Sequence, residues 1–282
     1  MRFTKMHGAG NDFIIINNLE EGLQEESFSG LAKSLCKRRL SIGADGMMVV
    51  DKPLNDGDFR MHFFNSDGTI GEMCGNGARC IARYGHEHGL SGEVQRIETT
   101  AGIVEGWNVD NRRYKVRLNA PTKIELDHDI ELNGMKFECS YVELGNPGLP
   151  HGVVYLTGMS DMDKDSLRDI GRVLRHHTSF PKGANINFCE MDGIGGFNAI
   201  TFERGVEDFT LACGTGAGSI ALVMMLKGKL EGNSARIEKP GGTLYIDISK
   251  ANEEYEIYLT GPTCIVAEGT VEDEDYWMEE NR

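Results

Sequence analysis

Apolar and polar residues alternate in four short stretches of the chain. In RYKVRL, Tyr114, Val116 and Leu118 share one face, and in AITFE Ile200 and Phe202 do the same. TLYIDI and YEIYLT repeat the period of two, the first after the turn signal KPGG. All four predict strands. A helical spacing marks FSGLAKSLCKRR, MDKDSLRDIGRVLRHH and the stretches that follow Cys74 and Cys213. The segment SIALVMML is apolar nearly all round, which predicts a helix buried on every side. The pattern is mixed α and β throughout, with 36 glycines placed at turns and no low-complexity segment.

Two of the helical stretches open alike. HFFNSDGTIGEMCGNGARCIARYG and ITFERGVEDFTLACGTGAGSIALV both read as strand, polar turn, cysteine, Gly-x-Gly and helix. A weaker echo links GAGNDFIII to GANINFCEM. This predicts a diverged duplication, with a crossover near LNAPTK and a second near TGPTCIV that returns the last strand to the first half. The expected domains are residues 1–118 plus 262–282, carrying Cys74, and residues 119–261, carrying Cys213. Matching halves would place the two cysteine loops across a cleft, a favoured place for a small ligand.

Composition narrows the partners. The 282 residues carry 44 acidic against 29 basic side chains, a net charge of −15. That balance argues against broad nucleic-acid or acidic-membrane binding. The longest apolar run, IALVMML, is far too short to cross a bilayer. The start, MRFTKMHGAGNDF, has no signal-peptide core, so a cytoplasmic protein is expected. The seven cysteines read as reduced thiols, with Cys36, Cys139, Cys189 and Cys264 as small buried hydrophobes. His7 reads as a buried, hydrogen-bonded histidine. The acidic tail EDEDYWMEENR reads as a solvated extension, with Tyr276 and Trp277 as a candidate dimer contact.

GNGAR and GTGAG do not complete a dinucleotide or phosphate-loop motif. Cys74 and Cys80 lack zinc-ligand partners at the usual spacing, and no Cys-x-x-Cys pair is present. No metal is therefore expected. Two cysteines at helix starts suit another chemistry. Inverting a centre that bears one α-hydrogen needs a base on one face and an acid on the other, and a thiolate and a thiol can exchange those roles. Backbone N–H groups at the helix starts would hold a carboxylate and stabilise charge developing at the α-carbon. The same helix ends are expected to lower both thiol pKa values.

KMHGAGNDF, FFNSDG with MCGNGARC, GNP, ERG and ACGTGAG together resemble the diaminopimelate epimerase family, from residue 2 to about residue 271. The resemblance implies an α+β fold of two pseudo-symmetric domains, each a mostly antiparallel sheet wrapped around a central helix. It implies a homodimer that uses neither pyridoxal phosphate nor any other cofactor, acting on a small amino acid in lysine and peptidoglycan precursor synthesis. Cys74 and Cys213 match the family's two-base pair. Asn11 and Asn65 match substrate contacts, and Gly75, Asn76, Gly214 and Thr215 match the backbone cradle. Asn146, Asn185, Glu203 and Arg204 match the group that grips the far end of diaminopimelate. Three departures stand out. Gly46 occupies a position where glutamine is common, and the stretch between ERG and ACG is one residue longer. GNPGLPH stands where the family has GNPH, so the assisting histidine corresponds either to Gly148 or, after an insertion, to His151. The alternatives are a relative that racemises another amino acid, such as histidine, and a non-catalytic amino-acid binding protein.

Overall fold

The computed structural model describes residues 1–71, 74–132, 134–252 and 254–273. The candidate contacts Tyr276 and Trp277 lie outside them. In chain order the elements begin with β1 (Arg2–Gly8), β2 (Asn11–Asn17), α1 (Asn18–Glu21), α2 (Phe28–Leu35), β3 (Gly46–Asp51), β4 (Phe59–Asn65) and α3 (Gly75–Glu87). There follow β5 (Val94–Thr99), β6 (Gly102–Asn108), β7 (Arg113–Arg117), β8 (Pro121–Leu132), β9 (Met135–Leu144), β10 (Leu149–Tyr155) and α4 (Lys164–Arg175). The remainder is β11 (Asn185–Met191), β12 (Phe197–Glu203), β13 (Asp208–Thr210), α5 (Gly214–Leu226), β14 (Ser234–Lys239), β15 (Gly242–Ala251), β16 (Glu254–Pro262) and β17 (Cys264–Thr270).

Two compact units divide this list: Met1–Val116 with the segment that starts at Gly261, and Arg117–Thr260. In the first, neighbouring strands run β17-β1-β2-β3-β4-β5-β6-β7, antiparallel except for the pairs β2–β3 and β4–β5. In the second they run β8-β9-β10-β11-β12-β14-β15-β16, antiparallel except for β10–β11 and β12–β14. Each parallel pair is joined by a helical crossover, α2 and α3 in one unit and α4 and α5 in the other. The plan is repeated, and the fold is α+β.

Alternation along the strands explains the layering. On β2 and β3 of the first unit, Ile14, Ile16, Met47 and Val49 pack with Phe28, Leu31 and Leu35 of α2. Phe13 and Met48, on the other face, meet α3 at Gly77. In the second unit Ile186, Phe188 and Phe202 pack with Leu167 and Leu174 of α4, and Asn187 points to α5 at Gly216. Helix α3 packs on β1, β2 and β6, and α5 packs on β9, β10, β11, β14 and β15. Each is the central helix of its unit. Residues Gly214–Met224 of α5 are buried without interruption, in keeping with the apolar run that predicted it. Helix α4 begins where Asp163 accepts a hydrogen bond from the Ser166 N–H, an N-cap that satisfies one orphan donor.

Candidate active site

Cys74 and Cys213 occupy the same structural position. Each is the N-cap of its central helix, with φ −117° and ψ 112° at Cys74 and φ −121° and ψ 110° at Cys213. The Cys74 carbonyl accepts from the Ala78 N–H at 2.8 Å and the Cys213 carbonyl from the Ala217 N–H at 3.0 Å. Gly75 and Asn76 open α3, and Gly214 and Thr215 open α5, all four buried. First-turn N–H groups have no intrahelical acceptor, so both helix starts present donors next to a thiol.

Around Cys74, Asn11 Oδ1 lies 3.4 Å from Sγ and 3.4 Å from Asn76 Nδ2. Asp45 fixes Asn11 by accepting from its Nδ2 at 2.7 Å. Asn11, expected as a substrate contact, thus also touches the thiol. The next residue, Asp12, is tied to Lys5 and Arg38. Burial alone would raise its carboxyl, but those hydrogen bonds hold it down to about 2. A small cavity beside Cys74 is walled by Met61, Phe63, Ala78, Thr99 and Val104. Asn65 is exposed and spends its Nδ2 on Thr69 Oγ1 at 3.0 Å. Gly46 now has a physical reason, because a Cβ there would lie 2.7 Å from Phe63 Cε2. The Phe63 ring occupies the space a side chain at position 46 would need.

Sequence reasoning missed Arg79. Its guanidinium is fully buried, donates to Gly75 O at 3.1 Å and Asn76 Oδ1 at 3.0 Å, and leaves Nε without a partner among the described residues. Burial lowers its pKa to about 10 against the pull of Cys80 and Cys74. The motif MCGNGARC carried that signal, since a basic residue inside an apolar helix needs a reason to be buried.

Around Cys213, Sγ accepts from the Gly216 N–H at 3.3 Å and sits 3.5 Å from Thr215 Oγ1. Burial pushes this thiol up to about 12, with Glu203 adding to the rise and Thr215, Lys239 and the Gly216 N–H opposing it. The expectation that the helix end lowers both thiols is corrected here. Cys213 is 7% exposed, and the cost of burying a thiolate exceeds what the helix start returns.

A buried polar chain runs behind Cys213. Lys239 Nζ donates to Thr201 Oγ1 at 2.8 Å, and Thr201 donates to Asn187 Oδ1 at 2.8 Å. Asn187 Nδ2 donates to Gly152 O at 3.1 Å and to Asn185 O at 3.2 Å and lies 3.3 Å from His151 Nδ1, while His151 Nε2 is buried with no hydrogen-bond partner among the described residues. His151 is fully buried, and burial, with Lys239 and Arg204, lowers it to about 3. Of the two histidine assignments, position 148 has no room for a side chain, because a Cβ there would lie 2.3 Å from Glu143 Oε2. His151, on β10, is the histidine that reaches this network.

The residues expected at the far end of the substrate meet only in part. Asn185 Oδ1 accepts from the Arg204 N–H at 2.8 Å, and Arg204 Nη1 donates to Lys182 O at 3.3 Å. Thr210 donates to Glu203 Oε2 at 2.7 Å. Asn146 is exposed, at a cis Asn146–Pro147 bond. Beside it Glu143, unsuspected from sequence, takes hydrogen bonds from Tyr141 at 2.7 Å and Lys182 at 2.8 Å. None of the seven cysteines is in a disulfide. Cys36, Cys139 and Cys189 are buried, but Cys264 is half-buried, and so is His7, which accepts from the Gly10 N–H at 3.4 Å. Among the described residues no His, Cys, Asp and Glu group has metal-site geometry, and no helix is long and apolar enough to cross a membrane.

Comparison with known proteins places this geometry. The diaminopimelate epimerase family model matches residues 3–124 and 144–266. The diaminopimelate epimerase of Aquifex aeolicus is 37% identical over 97% of this chain and 99% of its own, and that of Archaeoglobus fulgidus is 37% identical over 95% of each. Solved structures share the fold at lower identity. A Bacillus anthracis phenazine biosynthesis protein of the PhzF family has a TM-score of 0.76 at 17% identity, covering 96% of this chain and 99% of its own. An Agrobacterium vitis hydroxyproline epimerase with bound trans-4-hydroxy-L-proline has a TM-score of 0.69 at 15% identity, covering 100% and 98%. The chain is thus an isomerase of the amino-acid epimerase and racemase class, and it belongs to the diaminopimelate epimerase family.

Proposed function

We propose that this protein interconverts L,L- and meso-diaminopimelate without a cofactor, using Cys74 and Cys213 as the two acid–base groups, and so serves lysine and peptidoglycan precursor synthesis. The observation that carries this reading is the matched pair of cysteine N-caps, alike within a few degrees in φ and ψ. One thiolate removes the α-proton while the other thiol delivers a proton to the opposite face. In the reverse direction the roles exchange. Helix-start N–H groups at Gly75, Asn76, Gly214 and Thr215 hold the reacting carboxylate and the charge that develops on it. Arg204, braced by Asn185, takes the distal carboxylate through its planar fork. Glu203, Asn146, Asn11 and Asn65 complete the binding set, and His151 assists from within the second unit. The working form in this reading is a cytoplasmic homodimer.

The substrate is tested by following α-hydrogen exchange in deuterated water over a panel of amino acids. Exchange with L,L- and meso-diaminopimelate, and far less with histidine, lysine or glutamate, is expected. Exchange with histidine and none with diaminopimelate would replace the substrate while keeping the class.

A further inference from the structure

The two units carry unlike side chains at like positions behind their cysteines. Sheet register matches Phe13 with His151, Met48 with Asn187, and Phe63 with Thr201, because Phe13 pairs Gly46 as His151 pairs Asn185, and Met48 pairs Phe63 as Asn187 pairs Thr201. Thr99 and Lys239 correspond as the last residues of β5 and β14, which pair β4 and β12 in the same register. Behind Cys74 these positions hold Phe13, Met48, Phe63 and Thr99. Behind Cys213 they hold His151, Asn187, Thr201 and Lys239. The fold therefore does not demand a polar chain there, since the first unit builds the same layer without one.

Lys239 is 6% exposed, and its ammonium has Thr201 Oγ1 as its hydrogen-bond acceptor and no ion-pair partner among the described residues. The titratable groups whose charge acts on it are Cys213 at the start of α5, Cys189 on β11, Glu203 on β12 and His151 on β10. Burying a cation with no hydrogen-bonded counter-charge is costly. We propose that Lys239 is a positioning residue for Cys213, supplying the buried positive charge that lets this thiol ionise. The proposal rests on the reading of Cys213 as one of the two acid–base groups. It explains how a thiol that burial pushes up to about 12 can serve as a base: ionisation of Cys213 leaves a thiolate–ammonium pair in place of an isolated buried anion.

The test reads thiol ionisation directly and needs no substrate. The full-length protein and Lys239→Met are treated with methyl methanethiosulfonate between pH 6 and 10, and the rates at Cys213 and Cys74 are followed by peptide mass. The expected result is a rate at Cys213 at least about tenfold slower at pH 8 in the variant, a displacement of one pKa unit or more, with Cys74 unchanged. Lys239→Gln, neutral but able to donate to Thr201, should show the same loss and serves if the methionine variant does not fold. A Cys213 rate equal to wild type in a folded neutral variant overturns the proposal. So does equal slowing at both cysteines, which would mark a general structural effect. Failure of the wild type to exchange the α-hydrogen of diaminopimelate would overturn the functional reading while leaving this ionisation result to stand or fall by itself.

Discussion

At the residue scale, burial and charge decide more than residue type does. His151 is neutral in the fold, lowered to about 3 from an ordinary value near 6.5. An unfolded chain takes up that proton as pH falls through about 6.5, and the folded chain resists until about 3. Stability present above the unfolded value is therefore lost progressively across that window. Between pH 7 and 4 the loss amounts to about 3 kcal/mol. His151→Gln should remove most of that slope, as read by chemical denaturation at the two pH values. Lys239 works in the opposite window. Its pKa is lowered to about 8, so between about 8 and 10.5 the unfolded chain holds a proton that the fold has released, and stability rises with pH. Below that window the buried cation costs the fold on the order of 3 kcal/mol. Lys239→Met should then be more stable than wild type at pH 7, with the gain fading by about pH 10.5, while the thiol chemistry suffers.

Arg204 belongs to the same scale. If it pairs with the distal carboxylate, Arg204→Met loses about 2–5 kcal/mol of charge-assisted binding, roughly 30-fold to several thousand-fold in kcat/KM for diaminopimelate. A slow monocarboxylate substrate should be spared. Unchanged kcat/KM for diaminopimelate would remove Arg204 from the site. The cysteine loops and the ERG motif of Arg204 stand out in the sequence because each is contiguous. Lys239 does not, since its acceptor Thr201 lies 38 residues away in sequence and only the β12–β14 pairing brings them together.

At the element scale, the start of each central helix is set by small residues under close packing. A Cβ at Gly216 would lie 2.2 Å from Asn187 Oδ1 and 3.2 Å from the Cys213 sulfur, whereas at Gly77 it would meet the mobile end of Met48, Cε, at 2.7 Å. Overpacking of this kind costs about 1–3 kcal/mol. Gly216→Ala should fall at the upper end and depress kcat by displacing Asn187. Gly77→Ala should be milder on both counts, and equal effects would show that the polar chain behind Cys213 is not particular to it. The four alternating strands and four helical stretches were readable from period alone. The long hairpin β8–β9 was not, because β8 is mostly exposed and PTKIELDHDIEL shows no sustained apolar face. β3 was hidden for the converse reason. Gly46–Val50 are buried in succession, and a strand covered on both faces shows no alternation.

At the scale of the whole molecule, a repeated plan places one cysteine at the head of one central helix in each unit. The likeness of the two cysteine loops announced that repeat in the sequence. What the loops could not announce is the divergence behind them, apolar in one unit and polar in the other, because those residues come from strands scattered along the chain. The division of labour follows: repeated backbone supplies two similar thiols, and the side chains behind them make the two different. The central claim is that both thiols take part in one inversion. It is tested most directly by measuring interconversion of L,L- and meso-diaminopimelate, with deuterium uptake at the α-carbon, for Cys74→Ala and Cys213→Ala separately. The account predicts that each variant, correctly folded, loses interconversion by roughly 10²–10⁴-fold or more. A folded variant of either kind that still interconverts the two isomers at the wild-type rate would contradict it.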